Sequence, residues 1–498
     1  MPDITLINLN MLFMRYGEEI ERELHVPLGP LYLTRAMEDA GFEVDFRDYQ
    51  LVEGDDPFEM ETFLQFVSEP VPAEIIGVSC MANLLPFTIL ALEQLRKKYP
   101  NHTLILGGVG SKSVEEKLLQ RFPWIDIICR GEAELTGPEL LRALTSPAGV
   151  CPPLLRNLET VAGISFRNAD GNIIHTPNRE RISNLDAIPF PAFHKVDLSR
   201  YAGYGMMSSR GCPYPCTFCS VAPVWNLESY SRSAKNIVEE MQYLHEKAGV
   251  EMFLFQDEFF VSGKPQVMEF CRELTQRNLS VKWKAFGRVN LVDEEMMQAM
   301  SDTGCVELRF GVESGSDRVL QMIKKGFTAS EVLQRIPEAI KYFPRVDVFY
   351  VWGFPFETLE DFQQSLFQMV SLRMMGARIL PSLLSLLPQT EIYREWCGKS
   401  ELEFCSYLLP EFVFTGHEIF SNGKVELPEK HRDYFDLILG NVDLFPGFYH
   451  IDLENNILPK LGMLRQFGFY PEVADPESCG AHSPGKGLAT GVTEILPS

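Results

Sequence analysis

Cys212, Cys216 and Cys219 fall within eight residues, in the run SSRGCPYPCTFCS, and cysteines spaced this closely ask for a chemical reason. Thiolates are soft ligands that select zinc, copper(I) or iron–sulfur clusters. Structural zinc takes four closed ligands. No fourth Cys or His lies nearby, His194 being the closest candidate upstream and His245 downstream. A cubane cluster usually takes four thiolates. Three would leave one iron open to a substrate or cofactor, as catalytic metals generally require. A zinc site completed from a distance and a set of unliganded core cysteines are the alternatives. The open cluster accounts best for the spacing.

Such a loop needs a scaffold, and the chain around it alternates strands with amphipathic helices from Gly205 to about residue 390. The strand MMSSRG leads into the cysteines. EMFLFQDE, KWKAFGR, VELRFGVES, VDVFYVWGFP and RILPSLLSLL each follow a helical stretch. Six such units predict a partial (β/α)6 barrel with its chemistry at the C-terminal mouth. The candidates at that mouth are Asp257 and Glu258, Arg288, Glu313 and Ser314, then Gly353 and Pro355. Adjacent carboxylates at Asp257 and Glu258 are costly to bury unpaired, and a solvated strand end is the alternative. Arg288 and Arg309 could bind a carboxylate, Glu313 included, in bidentate fashion, or make structural ion pairs. Gly353 and Pro355 could simply turn the chain into a helix capped by Thr358.

Residues 3–145 show a second alternation. DITLINLN, FEVDFRD, EIIGVSC, HTLILGG and IDIICRG read as strands interleaved with helices. That pattern predicts a doubly wound parallel sheet of Rossmann-like type, with its ligand at the carboxyl ends of the strands. Those ends are Ser79–Cys80–Met81, Gly107–Gly108–Val109–Gly110 and Gly131–Glu132. Glycines there let a bulky ligand approach the backbone, although they serve equally as tight turns in any α/β domain. Gly107–Gly108 lacks the full G-x-G-x-x-G pattern of a dinucleotide site. The expected divisions are residues 1–148 for the first domain, 149–204 for a linker with a hairpin near Asp170–Gly171, and 205–390 for the barrel. Residues 391–475 read as a small, mainly helical covering region and 476–498 as a disordered tail. Cys397, Cys405 and Cys479 have no spacing that argues for a second cluster.

Composition bounds the function. The 498 residues carry 45 basic against 68 acidic side chains, a net charge of −23, which argues against a nucleic-acid surface. No run of about 18 apolar residues predicts a membrane span. The N-terminus lacks a basic signal-peptide region. Scattered cysteines outside the cluster suit a reducing, cytoplasmic setting.

C-x3-C-x2-C with Phe218 just before its last cysteine resembles the signature of radical S-adenosylmethionine enzymes. The succession IGVSCMANLLPF, LILGGVG and IICRGEAE ahead of it resembles the cobalamin (B12)-binding domain of the B12-dependent members. The resemblance implies a [4Fe-4S] cluster on Cys212, Cys216 and Cys219, S-adenosyl-L-methionine chelated to its open iron, and cobalamin at the first sheet. Asp257 and Glu258 stand where the family's G-G-E segment meets the methionine amino group, but read Q-D-E. Glu313 and Ser314 resemble the segment holding the ribose and carboxylate, and Gly353 and Pro355 the motif beside the adenine. Ser79, Cys80, Gly107, Gly108, Gly131 and Glu132 would line cobalamin. The chain has no D-x-H-x-x-G, so cobalt would lack a protein imidazole, and it reads GGVG where the family usually has GG-P-H, so the contacts made by that proline and histidine are not implied here.

The activity implied is C-methylation: a 5′-deoxyadenosyl radical removes hydrogen from an unactivated carbon, which takes a methyl from methylcobalamin. A cyclase, oxidase or rearrangement enzyme acting on a tetrapyrrole or lipid is the alternative of the same family. A non-enzymatic iron–sulfur electron carrier is the alternative of another class. The implied partners are a small molecule (lipid, tetrapyrrole or aromatic) and a flavodoxin or ferredoxin-type reductant.

Overall fold

The computed structural model describes residues 1–16, 19–53, 56–145, 158–201, 204–405 and 432–470. The five expected strands of the first sheet are Ile4–Asn8, Val44–Asp48, Ile75–Ser79, Thr103–Gly107 and Ile127–Cys129. Ile4–Asn8 is the second of them in space, flanked by Val44–Asp48 and Ile75–Ser79, and all five run parallel. This doubly wound order places its switch point between Ile4–Asn8 and Ile75–Ser79. Every residue of Ile4–Asn8 is buried, as a central parallel strand covered on both faces requires.

The stretch expected as a linker contributes to this sheet. Strands Ile164–Arg167 and Ile173–His175 form the expected hairpin and extend the sheet antiparallel to Ile127–Cys129. An open edge leaves backbone groups to be paired, and Ile164 and Phe166 bury their side chains in doing so. Further along, Ala192 N donates to Leu31 O at 3.1 Å and Lys195 Nζ to Val44 O at 2.8 Å. The segment is therefore bonded to the first domain along much of its length. A hairpin of Leu12–Tyr16 and Glu19–Glu23, which no sequence signal marked, follows the first strand.

The second sheet has six parallel strands in chain order: Tyr204–Met206, Met252–Phe255, Lys282–Gly287, Cys305–Glu313, Arg345–Trp352 and Arg378–Leu383. Most of the helices between them begin at a capping side chain. Asp293 accepts from Met296 N, and Thr328 and Thr358 form capping boxes with Glu331 and Asp361. Phe253, Phe255, Trp283, Phe310 and Trp352 fill the core. Beyond the barrel lie helices Glu391–Trp396, Arg432–Leu439 and Leu458–Gln466, and a two-stranded ribbon pairs Leu402–Glu403 with His450–Ile451. The tail 476–498, with Cys479, lies outside the described residues. Among the described residues, no helix is long and apolar enough to cross a membrane.

Candidate active site

The cysteine loop leaves strand Ser209–Arg210 through Gly211, whose φ of +92° suits glycine and where a Cβ would collide with Glu228 O. Its far side is held by backbone bonds: Cys219 N donates to Cys216 O at 3.1 Å, Thr217 N to Ile323 O at 3.2 Å, and Ile392 N to Thr217 O at 3.0 Å. Cys216 is buried and Cys212 and Cys219 are half-buried. Burial raises the thiols of Cys212 and Cys219, the latter to about 11, and each of the two is raised further by Cys216. Among the described residues, no three His, Cys, Asp or Glu side chains gather tightly about one ion.

Arg288, ending Lys282–Gly287, stacks on Tyr214 inside this loop, guanidinium carbon to ring centre 3.7 Å. Its Nε donates to Asn290 Oδ1 at 3.0 Å, while Nη2 is buried without a hydrogen-bond partner. A buried donor of this kind calls for an acceptor. Glu313 ends Cys305–Glu313 at φ +73°, a left-handed conformation costly for a residue with a Cβ. Its Oε1 accepts from Lys325 Nζ at 2.8 Å, which leaves Oε2 for a ligand. A Cβ at Gly311 would lie 2.6 Å from Glu313 Oε1, so the glycine makes room for this pair.

Other sequence candidates have different tasks. Asp257 is buried and accepts from Ser208 N at 2.7 and 2.9 Å and from the Ser208 hydroxyl, and burial raises its carboxyl to about 7. It holds the strand that leads into the cysteines. Glu258 alone of this pair is exposed, although surrounding protein raises its carboxyl too. Ser314 is fully buried, with its Oγ 3.0 Å from Ser365 Oγ and accepting from Ser316 N, so it supports the turn and does not face a ligand. Arg309 pairs with Glu307 at 2.5 Å and does not reach Glu313. Gly353, at φ +85°, donates its N–H to Glu357 Oε2 at 3.0 Å, and Pro355 is half-buried beside it.

At the first sheet, Cys80 is buried and its thiol pushed up to about 12, which makes it inert packing. Its backbone follows Ser79, whose carbonyl accepts from Leu9 N at 3.1 Å. Gly108, at φ +87°, has no room for a Cβ because the Cys80 carbonyl stands there, and a Cβ on Gly110 would meet Met81 O at 2.7 Å. These glycines answer to the neighbouring loop. Gly107 and Gly131 are less crowded, Gly131 having nothing within 4 Å of a Cβ position. Glu132 is committed elsewhere: it accepts from Arg210 Nη1 at 2.8 Å, Arg181 Nε at 3.2 Å and Ile182 N at 2.9 Å. What the strand ends do offer is apolar surface. Met81 and Val109, two residues past their strands, and Leu135, in the helix after the last of them, are each about half exposed. A flat macrocycle without a protein imidazole suits such an edge.

Sequence reasoning missed Lys325, Tyr214 and Ser208. Two adjacent lysines, Lys324 and Lys325, gave no hint of which turns inward; Lys324 bonds Glu391 at the surface. The two domains meet. Glu132 follows the last parallel strand of the first sheet, and its partner Arg210 lies two residues before Cys212. A pocket is lined by Asn83, Gly110 and Lys112 from the first domain and by Ser385, Gln389 and Phe448.

Comparison with known proteins adds the following. Residues 206–369 match the radical SAM superfamily and residues 20–141 the B12 binding domain. An uncharacterized methyltransferase of Pyrococcus horikoshii is 28% identical over 59% of this chain and 63% of its own. The anaerobic magnesium-protoporphyrin IX monomethyl ester cyclase of Rubrivivax gelatinosus is 27% identical over 52% of this chain and 47% of its own. The chain thus spans about half to two thirds of the length of these relatives. The structure of the radical S-adenosylmethionine methyltransferase TsrM of Kitasatospora setae superposes with a TM-score of 0.62. It is 17% identical and covers 79% of this chain and 74% of its own, a likeness of fold.

Proposed function

This chain belongs to the radical S-adenosylmethionine enzymes that carry a B12-binding domain, and from that premise we propose that it is a C-methyltransferase acting on a small molecule. One observation supports the reading: Glu132, just past the last parallel strand of the first domain, is bonded to Arg210, two residues before the cysteine loop, which ties the edge expected to hold cobalamin to the loop expected to hold the cluster. When bound, a [4Fe-4S] cluster with S-adenosylmethionine supplies hydrogen-atom abstraction from an unactivated carbon, and methylcobalamin supplies the methyl group.

The chain's own residues bind and orient. Cys212, Cys216 and Cys219 hold the cluster as thiolates. Arg288 Nη2, buried without a partner, would donate to the methionine carboxylate, and Glu313 Oε2 would accept from the ribose, with Lys325 fixing the other oxygen of Glu313. Gly353 and Pro355 border the adenine. Glu258 is the exposed carboxylate near the methionine amino group, with Asp257 holding the strand behind it. Met81, Val109 and Leu135 give cobalamin an apolar seat near Gly107, Gly108 and Gly131. The setting is cytoplasmic, and the electron comes from a flavodoxin or ferredoxin-type protein.

Anaerobic incubation with methyl-labelled S-adenosylmethionine, methylcobalamin, reductant and cell extract tests this by mass spectrometry. A labelled methyl in a small-molecule product supports transfer. Deoxyadenosine without a labelled product points to the cyclase reading, which the Rubrivivax relative favours. Neither product sinks both.

A further inference from the structure

The turn from Gly353 to Glu357 is built as much by the C-terminal segment as by the barrel that ends in it. Lys460, on helix Leu458–Gln466, is buried with only 1% of its side chain exposed, and so is Glu357. Lys460 Nζ donates to Glu357 Oε2 and to Glu357 O, both at 2.8 Å, and to Asn456 Oδ1. Asn456 Nδ2 in turn donates to Gly353 O at 3.3 Å and Phe354 O at 3.2 Å. Gly353 N donates to the same Glu357 Oε2 that Lys460 holds. A Cβ on Gly353 would strike Ile457 and Leu383 side chains at 2.8 Å, so the turn and the segment are fitted to one another.

Two charges buried this deeply are costly unless paired and fully bonded, and here Glu357 Oε1 still lacks a hydrogen-bond partner. An apolar pair would serve stability as well or better. What the charged pair supplies is a fixed turn. The turn also carries Phe354, whose ring meets Phe218 edge to face at 5.8 Å between ring centres, and Phe218 lies between Cys216 and Cys219.

We propose that the segment Ile451–Lys460 is the outer wall of the S-adenosylmethionine site, with Lys460 and Asn456 as positioning residues that set the Gly353–Glu357 turn against the nucleoside. The inference rests on the function proposed above. Neither side chain touches the ligand; both act through the turn. A sulfonium nucleoside is thereby bound by a barrel motif whose shape is dictated from a hundred residues downstream, outside the matched superfamily region.

E357M/K460M tests this, because it removes both charges together and spares the fold an orphaned one. The expected variant keeps its iron content and melting temperature near wild type. Its affinity for S-adenosylmethionine, read from the change in the reduced cluster's electron paramagnetic resonance spectrum on titration, falls about tenfold or more. Reductive cleavage to deoxyadenosine shows the loss in KM rather than in kcat. N456A, which buries no charge, should move the same affinity in the same direction, and it decides the matter should the double variant fail to fold. Wild-type affinity in a well-folded, cluster-bearing variant overturns the proposal. Wild-type protein that binds neither cluster nor S-adenosylmethionine overturns the function itself, a distinct result.

Discussion

Arg288 reaches the cysteine loop through the face of Tyr214, and that stacking favours arginine over lysine. A guanidinium lies flat on a ring and still offers donors at its edge, whereas an ammonium does not. Removing it as R288M should weaken S-adenosylmethionine binding roughly 10- to 100-fold, the worth of hydrogen bonds to a charged group. R288K should fall between, and iron analysis should find the cluster retained in both. C212A, C216A and C219A should each abolish the cluster absorbance. Asp257 makes a pH prediction. The unfolded chain releases this proton near its ordinary value of 3.8, whereas the folded protein keeps it until about 7. Stability contributed by the protonated form is therefore full below 3.8 and falls as pH rises to about 7. In urea titrations of unloaded protein between pH 4.5 and 7.5, D257N should show less of that fall than wild type.

At the scale of elements, position was legible and partnership was not. The parallel strands and the barrel follow from apolar runs such as IIGVS and FLF between helical stretches, since periodicity marks what is buried. The same signal placed Glu313 and Arg288 at strand ends. It could not say that Glu313 would pair with Lys325, twelve residues on, because that depends on a turn through Lys324 at φ +58° and Gly326 at φ +75°. Nor could it see that Ser314 would be buried against Ser365, or that Glu132 would be claimed by arginines from later in the chain. Gly108 shows the limit well: the glycine looked like access for a ligand, and it is required by the Cys80 carbonyl. G108A should therefore destabilise the first domain by about 1–3 kcal/mol even without cobalamin, measured by the urea midpoint of unloaded protein.

Across the whole molecule the two domains share a continuous apolar core and are also joined through charge. Glu132 and Glu134 both bond Arg210, and Arg181 bonds Glu132 while lying 4.4 Å over the ring of Trp225. Arg210 and Glu132 are buried, so R210M should cost about 3 kcal/mol by taking the arginine from Glu134 and leaving Glu132 with Arg181 and Ile182 N alone. E132Q, which keeps hydrogen-bonding atoms, should cost less. Urea unfolding followed by tryptophan fluorescence and by circular dichroism should separate into two transitions in R210M.

The second sheet ends in Tyr204–Met206 on one side and Arg378–Leu383 on the other, and these two are not bonded to each other. A ring of staves left unjoined has no fixed girth. Small rotations at each ladder can widen or narrow its bore without breaking a hydrogen bond, so a bulky guest need not be matched to a rigid opening. Small-angle scattering should then record a different radius of gyration once the protein is loaded, and an unchanged one would mean a fixed bore.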